Sequence, residues 1–197
     1  SPAQRALQSR LQAENIEDVV ASLALIRPGP IKGNMVDPFV ARRLGREPVV
    51  YPHPKLAPLL EKTYGVVLFQ EQVIAIATEL AGFAPGEADR LRRLMTHARS
   101  HREMQAVGEE FVRRAVAGGV DENNAREVFA CLEGYASYGF CEAHAAAFAT
   151  TAYWTAYLSA HHPVHFYTAL LNNQPMGFYS SATLVNEARA RGIKFLP

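Results

Sequence analysis

Cysteine is almost missing: Cys131 and Cys141 are the only two in 197 residues. Their spacing matches neither a zinc site nor the framework of a disulfide-held domain. A reduced, cytoplasmic setting is therefore expected. An excess of one charge is missing too, since 20 Lys and Arg meet 19 Asp and Glu for a formal net charge of +1. Any grip on nucleic acid must then come from a local patch rather than a bulk field. No apolar run reaches the roughly 20 residues that span a bilayer, and no signal-peptide pattern opens the chain. There is no Asp-x-Asp pair of the kind that holds two metal ions for phosphoryl transfer. A Walker loop, a dinucleotide-binding glycine pattern and a nucleophile elbow are absent as well, and nothing repeats at a fixed period. Self-sufficient phosphoryl-transfer, dinucleotide and serine-hydrolase chemistry are thereby excluded from what this chain does alone.

What is present is ordinary globular material, 49% hydrophobic and 20% charged, enough for one domain or two small ones. The chain begins at Ser1 and stops after Phe195-Leu196-Pro197. Both ends read as cuts, so a domain excised from a longer polypeptide is expected.

Periodicity predicts an all-α fold. Residues 3–15 favour helix. Ile16 to Ile26 reads as an amphipathic helix with Val19, Val20, Leu23 and Ile26 on the inner face. Pro28 and Pro30 stop it. A short helix follows over 36–44, then an extended proline-studded connector from Pro48 to Pro58. Val66-Val67-Leu68 fits a strand or the start of a helix. Helices are predicted over 69–80 with Val73, Ile76, Ala77 and Leu80 inward, 85–97, 100–117, 122–135 behind an Asp121 cap, 142–160, 163–172 and 181–191.

Two segments carry candidate chemistry. Arg90, Arg92, Arg93 and Arg99 crowd into about three helical turns, with Leu91, Leu94 and Met95 expected on the buried side. Guanidinium suits phosphate because its planar fork donates two parallel hydrogen bonds and stays charged. A solvated helix face with Glu87 and Asp89 as ion partners is the simpler alternative. Tyr138-Gly139-Phe140 forms an aromatic-glycine turn ahead of His144 and an alanine-rich helix. Such rings either pack or stack on a base or sugar. His144 near a helix N-terminus is a poor place for a positive charge. Its simpler reading is a satisfied core histidine. His161, His162 and His165 lack a companion ligand set, so no metal site is expected.

Five runs resemble the bacterial DNA polymerase III alpha subunit, a C-family polymerase: Leu25–Pro30, Thr63–Val66, Phe69–Val73, Gly86–Arg93, and Tyr138–Phe140 with His144–Ala146. They occur in the family's order and cover nearly the whole chain. Leu171–Tyr179 is more similar to the error-prone, damage-associated branch. The resemblance implies a helical fingers domain over 31–197, with N-terminal helices over 1–30 adjoining the palm. It implies a DNA-directed DNA polymerase in which a primer 3′-hydroxyl attacks the α-phosphate of a dNTP. The Mg²⁺ ions would sit on palm aspartates outside this chain, so no catalytic residue and no cofactor is expected within it. Nucleotide-binding residues carried over are Arg92, Arg93, Tyr138, Gly139, Phe140 and His144. Arg27, Gln70, Gln72 and Arg90 are candidate DNA or nucleotide contacts. Implied partners are primer–template DNA, dNTP, the rest of the polymerase and, through regions outside this chain, a sliding clamp. The family commonly has Asn-Lys-Ser before the histidine, where Cys141, Glu142 and Ala143 stand here. The change replaces a cation by an anion and argues against a triphosphate contact from position 142. Two rivals remain at this point: a non-catalytic helical DNA-binding module and a His-metal hydrolase.

Overall fold

The computed structural model describes residues 2–26, 35–97, 101–136 and 140–196. Among them are eleven α-helices and no strand, an all-α fold as the sequence predicts. The chain divides into two compact units, residues 1–147 and 148–197. The boundary expected near residue 30 falls outside the described residues.

The first unit has two cores. One is built by α1 (Pro2–Leu11), α2 (Ile16–Leu25) and α3 (Val36–Arg43). Leu7, Leu11, Leu25 and Phe39 are buried there with Val66, Leu68 and Ala145. The inner face of α2 differs from the expected one. Asp18, Ala21, Ser22 and Leu25 are buried, while Val19, Val20 and Leu23 are only partly covered. The reason is polar pairing. The Gln4 and Gln8 side-chain amides donate to Ser22 Oγ at 2.9 and 2.8 Å. Arg43 grips Asp18 with two hydrogen bonds, Nε to Oδ1 at 2.9 Å and Nη2 to Oδ2 at 2.6 Å. Burial pushes the Asp18 carboxyl up. Arg43 and the backbone N–H groups of Glu14 and Asn15 outweigh that and hold it below the usual range. A periodicity argument that sends polar residues outward cannot see such partners.

The proline-studded connector is not wholly extended. A 3₁₀ turn at Pro54–Leu56 lies inside it, and a short helix α4, Ala57–Leu60, starts within it and runs past its end. Val66 to Leu68 is neither strand nor helix, yet all three residues are buried. Gly65 makes the bend before them with φ +77°. A Cβ there would lie 2.4 Å from the Val50 carbonyl oxygen, so only glycine fits.

The second core joins α5 (Gln70–Ala81), α6 (Pro85–His97), α7 (His101–Ala117) and α8 (Glu122–Ala136). Val73, Ile76, Ala77 and Leu80 of α5 are buried as their spacing predicts. Burying each large aliphatic side chain contributes about 1.5–3 kcal/mol before entropy. Helix α7 approaches α8 closely at Gly108, where a Cβ would meet the Phe129 ring at 2.6 Å. Phe129 in turn packs on Phe111 with ring centroids 5.7 Å apart. Helix α9 spans Glu142–His161.

In the second unit α10 (Pro163–Asn172) packs on α11 (Ser181–Ala190), burying Tyr167, Leu184 and Ala188. Ser180 caps α11 by accepting from the Thr183 N–H at 3.2 Å. No described helix is long and apolar enough to cross a membrane.

Candidate functional site

Helix α6 opens with Pro85 and with Glu87, whose carboxylate accepts from the Ala84 N–H at 3.0 Å. Ala88, Leu91 and Met95 fix one face in the core. Leu94, expected to be buried, is 50% exposed. It lines a depression of about 380 Å³ with Phe83, Arg90, Leu91 and Val107, where α7 leaves a gap beside α6. Arg90 therefore faces α7.

Arg92 turns to the N-terminus of α5. Its Nη1 donates to Gln70 Oε1 at 3.1 Å, while Nε and Nη2 donate to Asp89 Oδ1 at 3.0 and 2.8 Å. Arg93 donates from Nε to the other oxygen of the same carboxylate at 2.8 Å. Arg92 is 19% exposed and Arg93 67%. Hydrogen bonds from Arg92, then from Arg93, hold the Asp89 carboxyl below the usual range, so it is an anion throughout the neutral region.

Phe140 reaches the same helix end. The Gln70 N–H donates to the Phe140 carbonyl at 2.9 Å. The Glu142 N–H, at the start of α9, donates to both Glu71 carboxylate oxygens at 3.2 and 3.1 Å. The first turn of α5 thus supplies an acceptor and a donor that tie α6 to the turn before α9. Phe140 meets His144 edge-on, with ring centroids 5.5 Å apart. His144 is exposed, which removes the core-histidine reading, while the next residue, Ala145, is wholly buried. Arg92 and the Phe140 carbonyl therefore both meet Gln70, and the Phe140 ring in turn meets His144. Arg27, Arg99, Tyr138 and Gly139 lie outside the described residues.

Residues 1–119 match the model of the bacterial DNA polymerase III alpha subunit finger domain. The chain belongs to that family. It is 64% identical to an error-prone DNA polymerase of Symbiobacterium thermophilum over 197 residues, which is 100% of this chain and 18% of the relative. An error-prone DNA polymerase of Anaeromyxobacter dehalogenans is 49% identical over 194 residues, 98% of this chain and 17% of the relative. Error-prone DNA polymerase 1 of Agrobacterium fabrum is 46% identical over 197 residues, 100% of this chain and 18% of the relative. The chain thus spans less than a fifth of the length of these curated relatives.

Gln72, a candidate DNA or nucleotide contact on sequence, is engaged inside the fold as a cap. It is 7% exposed. Its Oε1 accepts from the Leu68 and Phe69 N–H groups at 2.8 and 3.0 Å. Its Nε2 donates to Thr63 Oγ1 at 2.8 Å and to the Leu59 carbonyl at 3.3 Å. All four hydrogen-bonding positions of the amide are used. Among the described residues no group of three or more His, Cys, Asp or Glu is placed to hold a metal ion. The His161 ring packs on Tyr157 at 4.4 Å instead.

Asp89 and Glu71 are the participants that matter beyond the expected set. Asp89 was readable as an ion partner, because it precedes the two arginines by three and four residues. Glu71 carries no such signal, since its partner is far away in sequence.

Proposed function

We propose that this finger domain belongs to an error-prone DNA-directed DNA polymerase and positions the incoming dNTP beside the template. Arg92 and Arg93 receive the triphosphate, where two guanidiniums offset charge and fix orientation. Phe140 and His144 form the adjoining wall for sugar and base, with Tyr138 and Gly139 of the same turn as further contacts. Arg27 and Arg90 are secondary candidates for DNA. In the longer protein, residues 1–30 adjoin the palm and residues 31–197 form the fingers. Primer–template DNA, the rest of the polymerase and a clamp acting through other regions are the partners.

The reading is carried by Gln70, which binds Arg92 with its side chain and the Phe140 carbonyl with its backbone. One residue thereby links the phosphate-binding and the ring-bearing segments.

The residues here do not fit a Mg²⁺ pair. Asp89 is engaged by Arg92 and Arg93, and Glu71 by the Glu142 N–H. The metal ions of nucleotidyl transfer are assigned to the palm outside this chain, and the isolated 197 residues are expected to extend no primer.

The test is steady-state kinetics of the full-length polymerase. Arg92→Ala and Arg93→Ala should each raise KM for dNTP or lower kcat by at least about tenfold, the equivalent of one charge-assisted hydrogen bond. Unchanged kinetics in both variants would remove the arginines from the nucleotide pocket.

A further inference from the structure

We infer that Asp89 is a positioning residue for the two phosphate-binding arginines: its single carboxylate, helped by the Gln70 amide, sets both guanidiniums before a nucleotide arrives. This rests on the reading that Arg92 and Arg93 take the triphosphate, and deepens it.

The geometry divides one carboxylate between two forks. Oδ1 accepts from Nε and Nη2 of Arg92. Oδ2 accepts from Nε of Arg93 and lies 2.7 Å from its Nη2. Both arginines are held along the same Nε–Nη2 edge. The remaining terminal nitrogen of Arg92, Nη1, is fixed by Gln70. Arg92 is thus pinned through three nitrogens, and its plane is set by two helices rather than one. The helix alone would not do this, because a long side chain retains rotamer freedom that must be given up on binding. Two cations adjacent in sequence also repel one another, and an anion between them offsets that.

The carboxylate has two opposed effects on a nucleotide. It orients the donors, which favours the transition state, and it repels the incoming phosphates, which disfavours the bound ground state. Their signs separate in kinetics. Removing the charge but keeping the shape should lose orientation while relieving repulsion.

The experiment uses the full-length polymerase. Asp89→Asn should lower kcat about tenfold, with KM for dNTP unchanged or reduced. The arginine variants should raise KM for dNTP or lower kcat. Asp89→Glu keeps the carboxylate and should retain most of kcat. The decisive measurement is a thermodynamic cycle. In a background carrying both Arg92→Ala and Arg93→Ala, adding Asp89→Asn should cost less than about twofold in kcat, because nothing remains to be positioned. A residue that only supports the fold would cost the same in both backgrounds. Equal costs, or an Asp89→Asn enzyme with unchanged kcat, would overturn the inference. Unchanged kinetics for the arginine variants would overturn the phosphate reading and this inference with it. Active arginine effects beside a silent or additive Asp89→Asn would overturn this inference alone.

Discussion

The backbone N–H of Gln70 donates to the carbonyl oxygen of Phe140 at 2.9 Å. The first N–H groups of a helix have no partner inside it, and here one of them is satisfied by a residue from a remote turn. The same Gln70 accepts from Arg92 through its side chain. The position of the arginine helix is therefore coupled to the position of the aromatic turn through one residue. Three further expectations concern a buried ion pair, a buried amide and an exposed indole elsewhere in the chain.

Asp18 and Arg43 form a buried pair, 3% and 7% exposed at the side chain. Removing Asp18 leaves the buried Arg43 charge with only the exposed Glu14 carboxylate, 3.5 Å from Nη2, and breaking such a buried pair costs about 3–5 kcal/mol. Asp18→Ala is expected to destabilise the chain by that amount at neutral pH, measured by denaturant unfolding. The folded-state pKa of Asp18 is lowered, so below the ordinary value of about 3.9 the unfolded state binds the extra proton. The pair's contribution is fully present above that value and is lost as pH falls through the lower folded-state value. The stability gap between parent and Asp18→Ala should accordingly close below about pH 4. A gap that persists undiminished at pH 2 would contradict the assignment.

Gln72 satisfies two buried backbone N–H groups and donates twice in return. Gln72→Leu keeps approximate volume and removes all four bonds. The Leu68 and Phe69 N–H groups left unpaired cost about 1–3 kcal/mol each, so a loss of about 2–6 kcal/mol in unfolding free energy is expected. A change within experimental error of the parent would show that the amide does not hold residues 68 and 69 in place.

Trp154 is the only tryptophan of the chain and is 62% exposed, beside Tyr153 at 57% and Tyr157 at 47%. Contiguous exposed apolar surface of this kind is unusual for a free-standing domain. The 197-residue chain at low concentration should show red-shifted tryptophan emission, readily quenched by acrylamide. Blue-shifted, unquenched emission from a monomer would mean that the ring is covered.

Much of the fold was legible because short-range rules decide it. Helix α5 buries Val73, Ile76, Ala77 and Leu80 at helical spacing. Helix α6 begins at Pro85 because proline and an acid suit a first turn. Asp121 caps α8 by accepting from the Asn124 N–H. The sequence misled where polar residues go inward. Ser22 and Asp18 displaced Val19 and Val20 from the inner face of α2 because Gln4, Gln8 and Arg43 come to meet them. Leu94 was expected inside, yet it edges an open depression, because helical spacing fixes direction but not whether a neighbour is there to cover it. The site was half legible. Arg92, Arg93 and Asp89 share one helix, and their spacing can be counted. Gln72 reads from sequence as a candidate DNA or nucleotide contact, since its partners at Leu59, Thr63, Leu68 and Phe69 are brought to it only by packing.

By itself the sequence determined the longer helices, the Asp121 cap, the lack of a metal-pair motif and the likeness to a polymerase finger domain, because each depends on residues close together along the chain. Only the tertiary structure decided that Gln70 and Glu71 receive Arg92 and the turn at Phe140 to Glu142, that Gln72 is interior, and that His144 is at the surface. Those outcomes depend on which helices share a core, and core-sharing is a property of the packed whole that no local pattern encodes.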